Sequence, residues 1–504
     1  MTATKKIPVP GFKTNIEGMD KYIASVAPNR GYAFRDVGPY RANDFDALIP
    51  EIWAMESLMV LWPNMVAARR CYRDFENSVA KFGDTVNTRR PGSFNAYRKT
   101  PGGAIQTQDA VATNVAIPLD QQAYVSFVVD DTNLSKSVIE IMSLFAAPAV
   151  LGITSHVDKT ILGQYPKFIG NSYGGLGQMT TSNAMDYLIG ARQKCSDLMM
   201  PDDMQRNLIV GTSAEAKLLG LSAFNKANES SDGGGTQATG HMGMKFGFDI
   251  QACQNMASFT NAIPTSAGAV NNASGYAVGS TTLTVDGITG AIGTNTWLTI
   301  AGDYTPQRVT AHTETTGNTT SITITPGLQA AVVDNAVITF ITPGQVNNAS
   351  GYAAGFVATS TGGGIVYDTT SSNLPKVGQF CTFGTSSSTN PTTNPVYTIV
   401  RVNGSEIHLD RPLVNALSDN DTINFGPGGG YNFAFHRNAI AFVNRPLVLP
   451  MEGTGVRSAV KIYNDIALRA SVSYDSTYEQ HRVTLSLLYG VKELDTNLGV
   501  LMYS

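Results

Sequence analysis

Charge is what this chain has little of. Only 15% of its 504 residues are Asp, Glu, Lys or Arg, where soluble domains average about 25%. The formal net charge of −4 gives no basic footprint of the kind that holds nucleic acid tightly. Cysteine is scarce as well. Cys71, Cys195, Cys253 and Cys381 lie far apart, offering neither a CxxC metal pair nor a dense disulfide framework, and buried free thiols in a reducing compartment are expected. The longest apolar run, Met142 to Ile153, contains Pro148 and is too short to span a bilayer. The opening MTATKKIPVPGFKTNIEGMDKY has two lysines with no apolar stretch behind them, so a signal peptide is not expected and the chain reads as soluble and made in the cytoplasm.

Catalytic signatures are missing too. SYGGLGQ around Gly174 and SDGGGTQ around Gly233 lack the Lys-Ser/Thr ending of a phosphate-binding loop and do not match GxGxxG, which leaves them as loops. The six histidines, His156, His241, His312, His408, His436 and His481, are scattered, without HExxH or a His/Cys pair at ligand spacing. The sequons at Asn272 and Asn348 matter only in a secreted protein. No catalytic residue, metal ligand or cofactor is expected. One cluster stands out: Arg89, Arg90, Arg98 and Lys99 interleaved with Phe94 and Tyr97. Basic and aromatic residues so mixed suit single-stranded nucleic acid, but a hairpin tip on an acidic chain favours contact between subunits. These six residues are the candidate subunit-contact site.

What is abundant is glycine, 49 residues, with Thr, Ser and Asn. The length predicts two to four domains. Residues 1–46 mix Pro, Gly and charge without a period and read as an extended arm. Within 47–130, Ile52, Met55, Leu58 and Met59 have helical spacing until Pro63. The Gly- and Pro-punctuated segment from Lys81 then joins the alternating Val115, Ile117, Leu119 and Val125, Phe127, Val129 into what reads as one long two-stranded arm. Residues 131–259 predict a long helix from Ser135, kinked at Pro148, a second helix over Asn183 to Met200, a third capped near Ser213, and strands in NLIVGT and MKFGFDIQAC. Residues 430–504 return to β patterning.

Between these stretches, residues 260–429 have almost no helical period, and the block contains a duplication. NNASGYA occurs at Asn271 to Ala277 and again at Asn347 to Ala353, and DNAVITF at Asp334 is matched by DNDTINF at Asp419. The later offset of 85 superposes Ile322, Ile324 and Leu328 on Ile407, Leu409 and Leu413, and Gly293 on Gly378. Two copies are too few for a solenoid. Two tandem β-modules, over about 271–342 and 347–427, are expected as an insertion into one host, whose strands near Phe248 to Cys253 and Phe433 to Val443 would be neighbours.

Outside the block, PEIWAMESLMVLWPNMVAARRCYRDFENSVAKFGDTVNTRRPGSF, DDTNLSKSVIEIMSLFAAPAVLGITSHVDKTIL, FAFHRNAIAFVNRPLVLP and LRASVSYDSTYEQHRVTLSLLYGVKELD resemble the major capsid proteins of tailed bacteriophages with the Hong Kong 97 fold, in particular the coat-protein type of the Salmonella phage P twenty-two. The order of "GDTV", "RRP" and "FHRNA…RPL…LYGVK" is specific to such coat proteins. The resemblance implies an α+β fold with an N-terminal arm (1–46), an extended loop (Gly83 to Pro118), a peripheral domain with a spine helix (Ser135 to Tyr165), and an axial domain (about Asn171 to Met256 with Tyr431 to Arg445) bearing a β-barrel insertion. It implies a non-enzymatic shell protein forming hexamers and pentamers of an icosahedral capsid, with scaffolding, portal and decoration proteins as partners. Double-stranded DNA would be enclosed without specific contacts, no membrane would be involved, and the protein would be made in the bacterial cytoplasm and found in the virion. The family has one inserted module; this chain has two. The alternative is a surface or glycan-binding protein using its β-modules, for which Trp297, Tyr304, Tyr367 and Tyr397 are the available aromatics. A hydrolase with an inserted lid would need a constellation the sequence does not show.

Overall fold

The computed structural model describes residues 65–73, 85–90, 96–99, 101–105, 107–108, 113–130, 147–226, 235–259, 264–289, 295–341, 343–358, 363–368, 374–384, 395–451, 455–463 and 466–504, with Ser57 and Ile292. The expected N-terminal arm and most of the helix after Pro50 lie outside them. The described residues are mostly β with few helices.

The long helix Ala147–Leu162 carries Val150, Ile153, Val157 and Ile161 on one buried stripe, the spacing of three and four that one helix face requires. Pro148 falls in its first described turn, where a missing N–H forfeits no helical bond. The stripe shares one core with Leu468, Leu485 and Leu487 of a five-stranded sheet and with Phe433, Phe435 and Leu501 of a seven-stranded sheet. In the first sheet the order is Ile440–Arg445, Gln480–Glu493, Ile466–Asp475, Val456–Tyr463, with Gln121–Asp130 also paired to Gln480–Glu493.

That placement corrects the single long arm. Only Thr85–Arg90 and Thr113–Pro118 pair as a hairpin; Gln121–Asp130 runs antiparallel to the C-terminal strand, Gln121 opposite Tyr489 and Asp130 opposite Gln480. Ala123 and Val129 are buried while Tyr124 and Val128 are exposed. Period two therefore marked the strand and its inner face, but contains nothing that names the partner.

The seven-stranded sheet runs Ser172–Tyr173, Gly499–Tyr503, Gly429–His436, Arg206–Val210, Phe248–Ala252, Gly243–Lys245, with Ser258–Phe259 beside Gly429–His436. Ile209, Phe433, Phe435, Leu501 and Tyr503 face the long helix. Leu208, Val210, Ala434, Val500 and Met502 face a second core closed by Leu188, Ala191 and Cys195 of the helix Ala184–Asp197. The helix Thr212–Leu219 starts after Gly211 with no side-chain cap, so Ser213 is inside it.

The chain leaves this sheet at Ser258–Phe259 and returns at Gly429, with Phe259 opposite Gly429 and Ser258 opposite Gly430. The neighbours are thus not Phe248–Ala252 and Gly429–His436, which have Arg206–Val210 between them. Between exit and return lie two β-units. The first is a closed barrel in the order Thr282–Thr289, Asn318–Thr325, Gln307–Thr315, Trp297–Ile300, Val337–Ile341, Pro264–Val270, and the second a six-stranded sheet in the order Ile365–Val366, Glu406–Leu409, Tyr397–Asn403, Phe380–Gly384, Thr422–Phe425, Gly344–Gln345. Strand for strand, the two orders are the same. A bridge between Val346 and Tyr367 joins the outer strands of the second, and each unit has its own core. Both begin a few residues before the repeated turn, at Pro264 and Gly344.

The repeated residues close each unit on itself. Asn272 N–H donates to Asp334 Oδ1 at 2.8 Å and Asn348 N–H to Asp419 Oδ1 at 2.9 Å, while the Nδ2 groups of the two Asn residues donate to the carbonyls of Gly275 (2.8 Å) and Gly351 (3.0 Å). Gly275 and Gly351 have φ of 64° and 63°, and the Asn335 and Asn420 that follow the two aspartates have 60° and 63°, angles that Gly and Asn tolerate best. One equivalence is corrected. Asn295 N–H donates to Val309 O as Gly378 N–H does to Ile399 O, so Gly378 corresponds to Asn295, both with positive φ, and not to Gly293.

Candidate subunit-contact surfaces

The hairpin is anchored at its base. Val86 and Ile117 are buried with Ala441 and Val443, and a Cβ at Gly490 would stand 2.1 Å from the Pro118 carbonyl oxygen, so that crossing requires glycine. Further out, Arg89 and Arg90 lie opposite Asn114 and Thr113. Tyr97 is 60% exposed and Arg98 and Lys99 are exposed beside it; among the described residues no hydrogen bond or ion pair holds these three side chains. Phe94 lies outside the described residues. The structure thus places five of the six candidate residues on one hairpin and its loop.

A second contact region joins the β-units to the sheets. Trp297 and Phe380, each the first residue of the same strand in its unit, meet edge to face at 4.6 Å. Phe380 is fully buried and also packs on Tyr165 and Tyr431, both at 5.8 Å. Tyr431 in turn stacks on Phe259 at 5.7 Å and meets Tyr503 at 5.5 Å. Polar bonds fix the register of this seat: Tyr165 OH donates to Gly378 O (3.0 Å), Thr398 Oγ1 to Gly163 O (2.6 Å), Thr382 Oγ1 to Asn295 O (3.1 Å) and Leu176 N–H to Tyr304 O (2.9 Å). The last bond explains SYGGLGQ. A Cβ at Gly175 would stand 2.8 Å from Tyr304 Cβ, and one at Gly174 2.2 Å from the Tyr187 ring, so these glycines allow close packing. A cavity of about 330 Å³ beside the seat is lined by Lys159, Tyr165, Met256, Val377, Thr398 and Ile399 among others. Among the described residues no cluster of three or more His, Cys, Asp or Glu could hold a metal ion, and no helix is long and apolar enough to cross a membrane. The four cysteines are free and buried, and burial pushes the thiols of Cys195 and Cys253 up to about 12 and about 11.

Sequence reasoning missed this seat and one buried carboxylate. Asp158, on the inner stripe of the long helix, accepts N–H bonds from Val66 (3.0 Å) and Ala67 (3.2 Å). The strap 65–73 it holds also carries Arg70, paired to Asp249 at 2.6 Å, and Tyr72, bonded to Ile440 and Phe442. Burial raises the Asp158 pKa from 3.8 to about 6 against the pull of the backbone N–H groups and Arg70. A folded-state value above the unfolded one means the native state binds the extra proton. The contribution is present below about pH 4 and is lost as pH rises through about 6, an effect on the order of 3 kcal/mol. The native chain is therefore expected to lose stability relative to Asp158→Asn between pH 4 and 6 in parallel denaturant titrations. A pH-independent difference would mean that Asp158 is hydrated.

No family model matches the chain, and no curated protein does. Among solved structures, it is similar to one titled Mycobacterium phage Che8, at 12% identity over 94% of this chain and 96% of that one, with a TM-score of 0.41. A cyanophage P-SCSP1u capsid structure follows at 9% identity, 95% and 94% coverage and a TM-score of 0.38. A Staphylococcus phage Andhra capsid structure is 8% identical, with 100% and 95% coverage and a TM-score of 0.36.

Proposed function

We propose that this chain is the major capsid protein of a tailed bacteriophage, a structural protein and not an enzyme, with the Hong Kong 97 architecture. The observation that carries this reading is the hairpin, anchored by Val86 and Ile117 at its base and presenting Tyr97, Arg98 and Lys99 to solvent. Such a projection has no use within one chain and suits a surface on the next copy. In this reading residues 1–46 are the arm, 85–118 the extended loop, the five-stranded sheet with the long helix the peripheral domain, the seven-stranded sheet the axial domain, and residues 264–425 a doubled insertion. The stretches that resemble coat proteins fall on these elements: FAFHRNAIAFVNRPL covers the second half of the strand ending at His436 and all of Ile440–Arg445, and RVTLSLLYGVKEL most of Gln480–Glu493.

The subunits assemble through heterologous contacts, one surface meeting a different one on the next copy, into hexamers and pentamers. The shell encloses double-stranded DNA, and scaffolding, portal and decoration proteins are the partners. This accounts for the low charge content, since contacts of this kind bury large areas in which an unpaired charge is costly. The glycan-binding alternative loses its aromatics: Trp297, Tyr367 and Tyr397 are buried and Tyr304 half-buried. Electron microscopy of the full-length chain, alone and with its scaffolding protein, is expected to show closed shells with six- and five-fold capsomers. A chain that stays monomeric in both preparations overturns the proposal.

A further inference from the structure

The chain passes between its two sheets through two short turns of one design. Gly429–His436 of the seven-stranded sheet leads through the turn Arg437–Ala439 into Ile440–Arg445 of the five-stranded sheet, and Gln480–Glu493 leads back through Thr496–Leu498 to Gly499–Tyr503. The turns touch: the Ala439 carbonyl accepts Leu494 N–H at 2.8 Å and Asp495 N–H at 3.4 Å. Each turn is capped by the side chain of the residue before it. Asp495 Oδ1 accepts Asn497 N–H at 3.0 Å, and His436 Nδ1 accepts Asn438 N–H at 3.3 Å.

The two caps differ in what a proton does to them. A backbone N–H only donates, so His436 Nδ1 carries no proton here, and the proton of the neutral ring sits on Nε2, 3.1 Å from Asp203 Oδ1 and 3.2 Å from Oδ2. A second proton has one place to go. On Nδ1 it would stand donor to donor against the Asn438 N–H, while the imidazolium would gain an ion pair with Asp203. Other charged groups nearby are Arg206, opposite His436 on the adjoining strand, Asp202, 3.8 Å from Arg206, Arg437 next in the chain, and Asp495 before the sister turn. Glu493, opposite Ile440, is engaged by Lys167. The ring is 2% exposed, so it has little room to turn to water and is held between its two partners.

We propose that His436 is a proton-operated latch on the crossover between the two sheets: neutral, it holds Asp203 and caps Asn438; charged, it keeps Asp203 and releases the turn Arg437–Ala439. The latch lies within one chain, goes beyond the shell reading and does not depend on it. Histidines ordinarily change charge between about pH 5 and 8, which sets the range to examine.

Hydrogen exchange in the full-length chain reads the latch at the Asn438 amide. Corrected for the intrinsic pH dependence of exchange, protection there is expected to fall about fivefold from pH ~8 to ~5, the worth of a typical N-cap. The Asn497 amide is the internal control and should keep its protection, because carboxylates ordinarily titrate lower. His436→Asn supplies a cap oxygen that takes up no proton in this range, and should make Asn438 equally protected throughout. Asp203→Asn removes the counter-charge, and the midpoint of the native transition should move to lower pH. Protection at Asn438 that ignores pH overturns the proposal. Equal losses at Asn438 and Asn497 report general loosening and overturn it as well, as does an acid loss that persists in His436→Asn. If circular dichroism shows His436→Asn misfolded, the Asp203→Asn midpoint decides, and an unchanged midpoint overturns the latch.

Discussion

Truncating Phe380 to alanine is expected to lower the unfolding free energy by about 3–5 kcal/mol, the range for deleting a large buried aromatic side chain. The ring is fully buried and touches partners from three places: Trp297 of the other β-unit, Tyr165 after the long helix, and Tyr431 on the return strand. Its site cannot collapse easily, because the hydrogen bonds of Gly378, Thr382 and Thr398 hold the surrounding backbone. The loss should therefore lie toward the upper end of that range, and the junction should loosen before either unit's own core does. Denaturant unfolding gives the magnitude. Limited proteolysis gives the place, with faster cleavage expected near Gly426–Gly430. A loss below 1 kcal/mol with an unchanged cleavage pattern would show that the units are held by something other than this ring.

The glycines at that return illustrate what could be read from the sequence and what could not. GPGGG at Gly426 to Gly430 has the composition of a flexible linker. In the structure a Cβ at Gly426 would stand 2.3 Å from the Phe380 ring, one at Gly429 2.4 Å from Leu176 and one at Gly430 2.0 Å from Ser504. These are close-packing glycines, and composition alone does not distinguish the two uses. The duplicated turn was legible because each copy is local: Asn272 reaches Gly275, and Asn348 reaches Gly351, within three residues. The inner faces of strands were legible for the same reason, as at Ile117 and Val129. The partner of Gln121–Asp130 was not, since it lies some 350 residues away in sequence, and neither was Asp158, whose N–H donors lie 91 and 92 residues earlier. Trp297 and Phe380 did leave a trace. They are large aromatics at equivalent positions of the two units, but only once the offset there is set to 83, as the pairing of Leu298 with Phe340 and of Cys381 with Phe425 requires.

Replacing residues 264–425 by a short Gly/Ser linker is expected to leave a chain that folds but builds no normal shell. Folding should survive because the exit and return strands already pair, Phe259 opposite Gly429 and Ser258 opposite Gly430, so little loop has to close. The cost falls on the seat. Tyr165, Phe259 and Tyr431 lose the cover of Phe380 and Trp297, and the bared aromatics should make the chain less stable and prone to associate. The complementary fragment, residues 264–425, contains both small cores, Leu283, Ile322 and Ile338 in one and Ile399, Ile407 and Ile423 in the other. It keeps the Trp297–Phe380 contact between its units, and Trp297 is its only tryptophan. It should therefore give a β-type circular dichroism spectrum and a cooperative melt that Trp297 emission follows. A fragment without a cooperative transition would mean that the units need the sheets beneath them to fold. Normal shells from the shortened chain would mean that the duplicated block decorates an assembly it does not help to build.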